Sequence, residues 1–434
     1  MKLAVVVQRY GAHINGGAEL HARYVAEHLG RHADVDVVTT CAVDYVTWRN
    51  ELPAGSERIH GRTVHRFPVD REREPRQFAR QSEVVFNTRH SEQDELAWLE
   101  SEGPTSRSLV GYLRTHRDAY DFFLFFSFRY YHAYHGIRAV GPRALLVPTA
   151  ERDDAIGLSV FGPVFRGVRA LMYNSPEERA MIGAASHNDH VPGVVVGVGS
   201  DIPEGPDPSR FRSRYGIPGP FVIYVGRIDA NKGCPELFEF FLRYVRQHGS
   251  TLSLVLIGTP LIEIPAHPRI RHLGFVSDED KFDAMAAADL LIMPSYYESL
   301  SMVALEAWAM GRPVLANGHC EVLKGQCLRS NAGLYYESYE EFVEALRSIV
   351  NNRLLADALG RNGREFYRRH YAWPVIEGKY LDMLRRLQAD DESGTPPHVI
   401  EPAAGWLARR RRALPPARER LAELPSGPVR QGDH

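Results

Sequence analysis

The segment Phe221-Val222-Ile223-Tyr224-Val225-Gly226-Arg227-Ile228-Asp229-Ala230-Asn231-Lys232-Gly233 joins an apolar run to a polar loop that has a glycine at each end. The run 221–225 has the length and composition of a strand buried on both faces of a parallel sheet. Amphipathic spacing predicts a helix at 235–246, so the loop connects the carboxyl end of a strand to a helix. Open α/β sheets bind ligands at such connections. The segment therefore predicts an α/β fold and places a candidate site within it.

Strands and helices alternate on both sides of this segment. A strand at 3–7, a loop containing Gly11, Gly16 and Gly17, and a helix at 18–29 open the chain, followed by a strand at 34–39. The pattern predicts two Rossmann-like doubly wound domains in series. Further predicted strands are 63–67, 121–126, 144–148, 170–173, 194–196, 253–257, 271–273, 290–293 and 313–316, and further helices are 92–102, 106–116, 279–287 and 302–310, with another helix beginning at Ser175.

A length of 434 residues exceeds one ordinary core and favours two domains. We expect an N-terminal domain at 1–196, a linker rich in Pro, Gly and Asp at 197–218, and a C-terminal domain at 219–370. Residues 371–388 are predicted to form a last amphipathic helix. From 389 to 434 the chain is rich in Pro, Arg, Glu and Ala without a sustained period, and we expect disorder there.

Charge and cysteine content argue against several classes of function. A formal net charge of −2 gives no basic surplus for binding nucleic acid. The apolar run at 3–7 is too short for a secretory signal or a membrane span. The four cysteines lack the C-x-x-C spacing of a zinc site or a disulfide framework. We therefore expect a cytoplasmic protein.

The first candidate cluster is the loop 226–233. Gly226 allows a ligand to approach the backbone, and the cations Arg227 and Lys232 flank the turn into the helix. A diphosphate leaving group is an anion that both cations could neutralise as a bond breaks. Lys232 is also one of only five lysines among the 52 basic residues. The alternative is a surface loop with two solvated cations.

The second candidate cluster begins at Glu298 and ends at Glu306. It follows a predicted strand, so the amides of Ser299, Leu300, Ser301 and Met302 are the free donors of a helix N-terminus, which suits a phosphate. Glu298 could accept hydrogen bonds from sugar hydroxyls. Glu306 lies in a largely apolar helix, where a carboxylate needs a partner such as ribose hydroxyls. The alternative is a core carboxylate paired with an arginine.

Together these motifs resemble the retaining family-four glycosyltransferases of the GT-B fold, over most of residues 1–388. Two acids with seven residues between them, Glu298 and Glu306, follow Pro294-Ser295, downstream of Gly-Arg-x-x-x-x-Lys-Gly. Each motif alone is common, but their combination is specific. The other matching segments are Gly16-Gly17-Ala18-Glu19, Asn174-Ser175, Leu273-Gly274-Phe275-Val276, Gly311-Arg312-Pro313-Val314 and Trp373.

The resemblance implies two Rossmann-like domains facing a cleft, with the helix at 371–388 crossing back to an acceptor-side N-terminal domain. It implies a UDP- or GDP-sugar as donor, no metal or other cofactor, and a glycan, lipid-linked or small-molecule acceptor. The leaving phosphate would help to deprotonate the acceptor. By this resemblance, Arg227 and Lys232 would bind the donor diphosphate, and Glu298 would contact the donor sugar. Glu306 would bind the ribose, and the Phe275–Val276 backbone would bind the base. Gly16 and Gly17 would let their loop approach the pyrophosphate and the transferred sugar.

One departure concerns the N-terminal half of the site. Family members often carry a histidine shortly after the strand that corresponds to 144–148, near the transferred sugar. Here Thr149-Ala150 is followed by Glu151. We expect Glu151, or another N-domain residue such as His13 or His132, to take a related polar role. The alternative is a plain acidic loop.

Other signals favour different functions. Asp278-Glu279-Asp280 resembles the acidic triplet that holds Mg²⁺ or Mn²⁺, although acids at a predicted helix start are favoured by the helix dipole. An NAD-type oxidoreductase needs Gly-x-Gly-x-x-Gly, which the glycines at 11, 16 and 17 do not form. A non-catalytic nucleotide-sugar sensor would keep the same binding residues. Trp406 beside Arg409–Arg412 suggests peripheral contact with the inner face of the cell membrane, with a solvated tail as the alternative.

Overall fold

The computed structural model describes residues 1–14 and 16–394. The strands are β1 (Lys2–Val6), β2 (Asp34–Thr40), β3 (Gly55–Ile59), β4 (Arg62–Phe67), β5 (Phe122–Phe126), β6 (Ala144–Val147), β7 (Ala170–Tyr173), β8 (Gly193–Val195), β9 (Phe221–Val225), β10 (Ser253–Ile257), β11 (Ile270–His272), β12 (Leu290–Met293), β13 (Val314–Asn317) and β14 (Gly333–Tyr336).

Helices connect most of these strands. They are α1 (Gly17–Leu29), α2 (Pro75–Asn87), α3 (Glu92–Glu102), α4 (Arg107–Thr115), α5 (Tyr131–Val140), α6 (Gly162–Gly167), α7 (Pro176–Ser186), α8 (Pro208–Tyr215), α9 (Cys234–His248), α10 (Asp278–Ala287), α11 (Met302–Ala309), α12 (Glu321–Ser330), α13 (Tyr339–Asn351), α14 (Arg353–His370) and α15 (Trp373–Glu392). Short 3-10 helices occupy Arg117–Ala119, Gly141–Arg143 and Asp154–Gly157.

The strands form two sheets within the described residues. The first has the order β3-β4-β2-β1-β5-β6-β7-β8, and the second has the order β11-β10-β9-β12-β13-β14. Apart from the antiparallel β3–β4 pair, all neighbouring strands are parallel. Strand order reverses between β1 and β5 in the first sheet and between β9 and β12 in the second. Both domains are therefore doubly wound, as predicted, and each has a switch point at which ligands bind in such folds.

Two boundaries differ from the predicted ones. Within the expected linker 197–218, helix α8 packs on the C-terminal domain, where Phe211 is buried and Arg210 Nη2 lies 2.9 Å from Asp283 Oδ1. Helix α15 ends at Glu392, four residues beyond the expected end of this helix at 388. The rest of that predicted disordered segment, 395–434, and the Trp406–Arg412 membrane hypothesis lie outside the described residues.

Helix α15 begins beside the C-terminal domain and packs against the N-terminal one. Trp373 stacks on His28 of α1 with ring centroids 3.5 Å apart. Lys379 Nζ donates to the Val196 carbonyl, and Arg169 Nη2 lies 2.7 Å from Asp391 Oδ1. The helix therefore ties the two domains together beside the linker.

Candidate active site

Two loops meet at the switch point of the second sheet. The loop 226–233 leaves β9, and the loop 294–301 leaves the adjacent strand β12. Gly233 has φ +71°, and a Cβ at that position would lie 2.0 Å from the Pro294 carbonyl oxygen. Only glycine fits this close approach, which brings both predicted clusters to one place.

Lys232 is the cation at the centre of this meeting point. Its Nζ lies 2.9 Å from Glu298 Oε1 and 3.5 Å from the Tyr297 carbonyl oxygen. Burial alone would lower the pKa of Lys232, but Glu298 and Glu151 raise it above its usual value. Lys232 therefore stays charged, and the structure brings together two residues that the sequence placed 66 positions apart.

Arg227 is held at the rim of the same loop. Its Nε pairs with Asp229, whose Oδ1 also accepts a hydrogen bond of 2.8 Å from the backbone N–H of Lys232. Asp229 is buried and thus fixes both cations of the loop in one arrangement. The Arg227 side chain remains 41% exposed, so its guanidinium can still receive an anion.

Glu306 lies on α11 and is buried. Its Oε1 lies 3.1 Å from Lys281 Nζ and accepts a hydrogen bond of 3.2 Å from Ser200 Oγ. Its Oε2 has no hydrogen-bond partner among the described residues. The structure therefore gives Glu306 a lysine partner where the alternative interpretation expected an arginine, and it leaves one buried carboxylate oxygen without a partner among the described residues.

The N-terminus of α11 completes this half of the cleft. Ser301 caps the helix by accepting from the Ala304 amide at 3.2 Å. Ser299 Oγ accepts from Asn174 Nδ2 of the N-terminal domain at 3.3 Å. Leu300 is buried and Met302 is partly buried beside them. These residues lie where the two domains touch.

The C-terminal half of the cleft coincides with a family match. A profile described as glycosyl transferases group 1 matches residues 219–352, which include both loops and α11. Over these residues the chain is similar to the group 1 glycosyl transferases.

Two curated proteins are similar in sequence to part of the chain. The chain is 30% identical over 213 residues to the mannosylfructose-phosphate synthase of Agrobacterium fabrum, covering 42% of this chain and 46% of that protein. It is 28% identical over 229 residues to a D-inositol 3-phosphate glycosyltransferase of Nocardioides sp., covering 46% and 48%. The chain spans about half the length of the curated relatives it matches.

Similar structures establish the architecture. A sucrose-phosphate synthase of Thermosynechococcus elongatus superimposes with a TM-score of 0.66 at 18% identity, covering 89% of this chain and 99% of that chain. HepE of Anabaena in complex with UDP-glucose superimposes with a TM-score of 0.65 at 17% identity, covering 89% and 100%. At these identities the likeness shows the fold, and it confirms the predicted GT-B arrangement of two Rossmann-like domains.

The N-terminal half of the chain contributes Glu151 to the cleft. Burial raises the pKa of its carboxyl to about 7, Lys232 opposes the rise, and Glu298 and Asp153 add to it. Of the two other candidates, His13 is exposed in the loop between β1 and α1, whereas His132 is buried and lies 2.9 Å from the Phe126 carbonyl oxygen. His132 is therefore a core residue, and Glu151 is the candidate that faces Lys232 and Glu298.

The loop before α1 is shaped by a buried ion pair. Arg9 Nη2 lies 2.5 Å from Glu19 Oε1. A Cβ at Gly16 would lie 2.1 Å from Glu19 Oε2 and 2.9 Å from Arg9 Nη2, so a larger residue there would displace this ion pair. Gly17 is exposed and has open space around it. Gly16 thus has a packing role that the sequence did not indicate.

The predicted base-binding segment follows β11. The Phe275 side chain is 74% exposed, and Val276 packs against the core. Gly274 has φ +73°, and its carbonyl accepts from the Gly258 amide at 2.9 Å. The turn is therefore anchored through its backbone while its aromatic ring points to solvent.

The acidic triplet Asp278-Glu279-Asp280 forms the first turn of α10, which Ser277 caps. Ser277 Oγ accepts from the Asp280 amide at 3.1 Å at the start of α10. Each acid also has a basic partner: Asp278 lies 3.4 Å from Lys281, Glu279 lies 3.0 Å from Arg210, and Asp280 lies 2.9 Å from Arg214. Among residues 1–14 and 16–394, no group of three potential metal ligands is brought together, and no helix has the length and apolarity to cross a bilayer.

Sequence reasoning missed several residues of the cleft. Asp229 was read only as part of a loop, although it fixes both cations. Lys281 is another of the five lysines among the 52 basic residues, and this rarity was the signal in the sequence that could have indicated it as a partner of Glu306. Glu178 accepts from the amides of Ala150 and Asn174 at 2.6 and 2.5 Å and so holds the strand ends that carry Glu151 and Asn174. Burial raises the pKa of Glu178 to about 8.

The position of Glu151 predicts a pH-dependent stability. A folded-state pKa of about 7 lies above the usual value of 4.5, so the folded chain retains a proton that the unfolded chain has released. The protonated Glu151 carboxyl thus makes its full contribution to the free energy of unfolding below about pH 4.5, and this contribution is lost as the pH rises through about 7. Glu151→Gln cannot ionise, and we expect its Tm to exceed that of the wild type at about pH 8 but not at about pH 5.

Differential scanning calorimetry at the two pH values checks this expectation. Glu321→Gln is the matched control, because Glu321 is an exposed carboxyl. If the Tm difference between Glu151→Gln and the wild type is the same at both pH values, the raised pKa of Glu151 is contradicted.

Proposed function

We propose that the protein transfers a sugar from a nucleoside-diphosphate sugar to a hydroxyl acceptor, without a metal ion and with retained anomeric configuration. The observation that carries the proposal is the arrangement at the switch point. Two cations, Arg227 and Lys232, converge on one side, and the unpartnered oxygen of the buried Glu306 lies on the neighbouring helix. The two cations suit a diphosphate, and the unpartnered carboxylate oxygen can accept hydrogen bonds from ribose hydroxyls.

In this proposal the anomeric carbon–oxygen bond to the diphosphate breaks, and Arg227 and Lys232 stabilise the negative charge that develops on the leaving oxygen. Glu298 accepts from hydroxyls of the donor sugar while it is paired with Lys232. The acceptor hydroxyl forms the new bond on the same face of the sugar, and its proton passes to the leaving phosphate oxygen. Retention follows from attack on that face.

The two cations also support metal independence. Mg²⁺ or Mn²⁺ would stabilise the negative charge of the diphosphate. Arg227 and Lys232 already supply positive charge for that purpose. The three acids that resemble a metal triplet are used in capping α10 and in ion pairs. We therefore expect turnover to survive EDTA, and this is checked by comparing initial rates before and after dialysis against the chelator. Loss of activity that Mn²⁺ restores would contradict metal independence.

The donor in this proposal is a UDP- or GDP-sugar, and the acceptor is a glycan, a lipid-linked sugar or a small molecule. Similar proteins include a D-inositol 3-phosphate glycosyltransferase and HepE, whose structure contains UDP-glucose, and these support this range. We propose a cytoplasmic location, with peripheral contact at the inner face of the membrane if the acceptor is lipid-linked. A thermal-shift screen of nucleotide-sugars identifies the donor, because a ligand that binds the folded state raises Tm.

A non-catalytic nucleotide-sugar sensor is the second candidate, since the binding residues alone would serve it. The cation pair around the diphosphate favours turnover, because a sensor has no need to stabilise a leaving group. The test is slow donor hydrolysis without acceptor, with protein in excess over nucleotide-sugar. Release of nucleoside diphosphate supports the enzyme, and complete persistence of a bound donor supports the sensor.

A further inference from the structure

The loop 44–48 of the N-terminal domain is rigidly built. Asp44 Oδ1 accepts from the Val46 amide at 3.0 Å, and Asp44 Oδ2 accepts from the Thr47 amide at 2.6 Å. Trp48 is buried at the end of the loop with φ +59°, and its Nε1 donates to the Glu102 carbonyl at 2.7 Å. These contacts fix the loop backbone and leave the Tyr45 and Val46 side chains 41% and 42% exposed.

Tyr45 lies between two guanidinium groups from different domains. Its ring centroid is 5.5 Å from the Arg9 guanidinium carbon and 5.7 Å from that of Arg227. Its hydroxyl accepts from Arg227 Nη1 at 3.4 Å. Arg9 is held in turn by Glu19 and by the Val43 carbonyl, so the N-terminal side of this contact is fixed.

We propose that Tyr45 is a positioning residue that aligns the Arg227 guanidinium with the donor diphosphate when the two domains are closed. This inference rests on the proposed function. An aromatic face attracts a guanidinium without using up its N–H donors. Asp229 takes Arg227 Nε, and the Tyr45 hydroxyl takes one N–H of Nη1 at 3.4 Å, so the second N–H of Nη1 and both N–H groups of Nη2 are left for the anion. Tyr45 therefore links domain closure to diphosphate binding.

The experiment is isothermal titration of the full chain with UDP and with GDP, using substitutions at Tyr45. We expect Tyr45→Leu, which keeps apolar bulk but loses the aromatic ring, to weaken binding of the preferred nucleotide about threefold to tenfold. Tyr45→Phe keeps the ring and is expected to stay within about twofold of the wild type. Val46→Ala is the matched control, because it is equally exposed on the same loop, and it should bind like the wild type.

A double-mutant cycle separates a role through Arg227 from a general effect on the loop. In an Arg227→Ala background, Tyr45→Leu should cause no further loss of nucleotide affinity. An equal loss in both backgrounds, or no loss in the wild-type background, would overturn the proposal. If the wild type binds neither UDP nor GDP, the proposed function itself fails, so the two failures are distinguishable.

Discussion

Replacing Lys232 with alanine is expected to lower kcat by roughly 100-fold to 1,000-fold, which is the typical loss when one preorganised donor is removed from a site where charge develops. Lys232 is held at the meeting point of the two loops by Glu298, 2.9 Å away. Because the charge on the diphosphate grows as the sugar leaves, the lysine should matter more in the transition state than in the bound ground state. Donor KM should therefore change much less than kcat.

Steady-state kinetics at saturating acceptor checks this prediction. Lys324→Ala is the matched control, because Lys324 also pairs with a glutamate, 2.6 Å away, on the surface of the same domain. The control should retain wild-type kinetics. Normal turnover of Lys232→Ala would reject the role of Lys232 at the leaving group.

Replacing Glu306 with alanine is expected to weaken binding of UDP or GDP by about 10-fold to 100-fold, since hydrogen bonds to a charged group contribute about 1.5–3 kcal/mol. The buried Oε2 of Glu306 is the oxygen without a partner among the described residues, and ribose hydroxyls would supply its missing donors. Titration calorimetry with the free nucleotide measures the loss directly, without any requirement for turnover.

The control for Glu306 separates ribose binding from the ion pair beneath it. Lys281→Met removes the partner 3.1 Å from Glu306 Oε1 and leaves the carboxylate in place. We expect it to reduce nucleotide affinity less than Glu306→Ala does. Unchanged affinity in Glu306→Ala would show that the carboxylate serves only the fold.

The central strands were predictable because they are buried on both faces. The expected bounds at 221–225, 253–257 and 290–293 are those of β9, β10 and β12, which are apolar throughout except for Ser253 at the start of β10. Strand β3 was missed because its sequence, Gly55-Ser56-Glu57-Arg58-Ile59, is polar and mostly exposed at the sheet edge. Helix α8 was missed because it lies among prolines and glycines that suggested only a linker.

The two halves of the site differ in how far the sequence reveals them. Arg227, Lys232 and Glu298 lie in two loops, and Glu306 lies on the helix that follows the second loop. The position of both loops follows from the strand–helix alternation, because they leave the carboxyl ends of adjacent parallel strands. Contacts across the cleft have no such local pattern. The contact between Tyr45 and Arg227 spans 182 residues, and its existence depends on how the two domains pack.

Release of nucleoside diphosphate from a panel of UDP- and GDP-sugars, measured with protein in excess and compared between the wild type and Lys232→Ala, tests the central claim most directly. The account predicts that the wild type cleaves at least one donor that it binds, and that Lys232→Ala binds the same donor but cleaves it roughly 100-fold or more slowly. A wild-type protein that binds a nucleotide-sugar and leaves it intact, or a Lys232→Ala variant that cleaves it at the wild-type rate, would contradict the account.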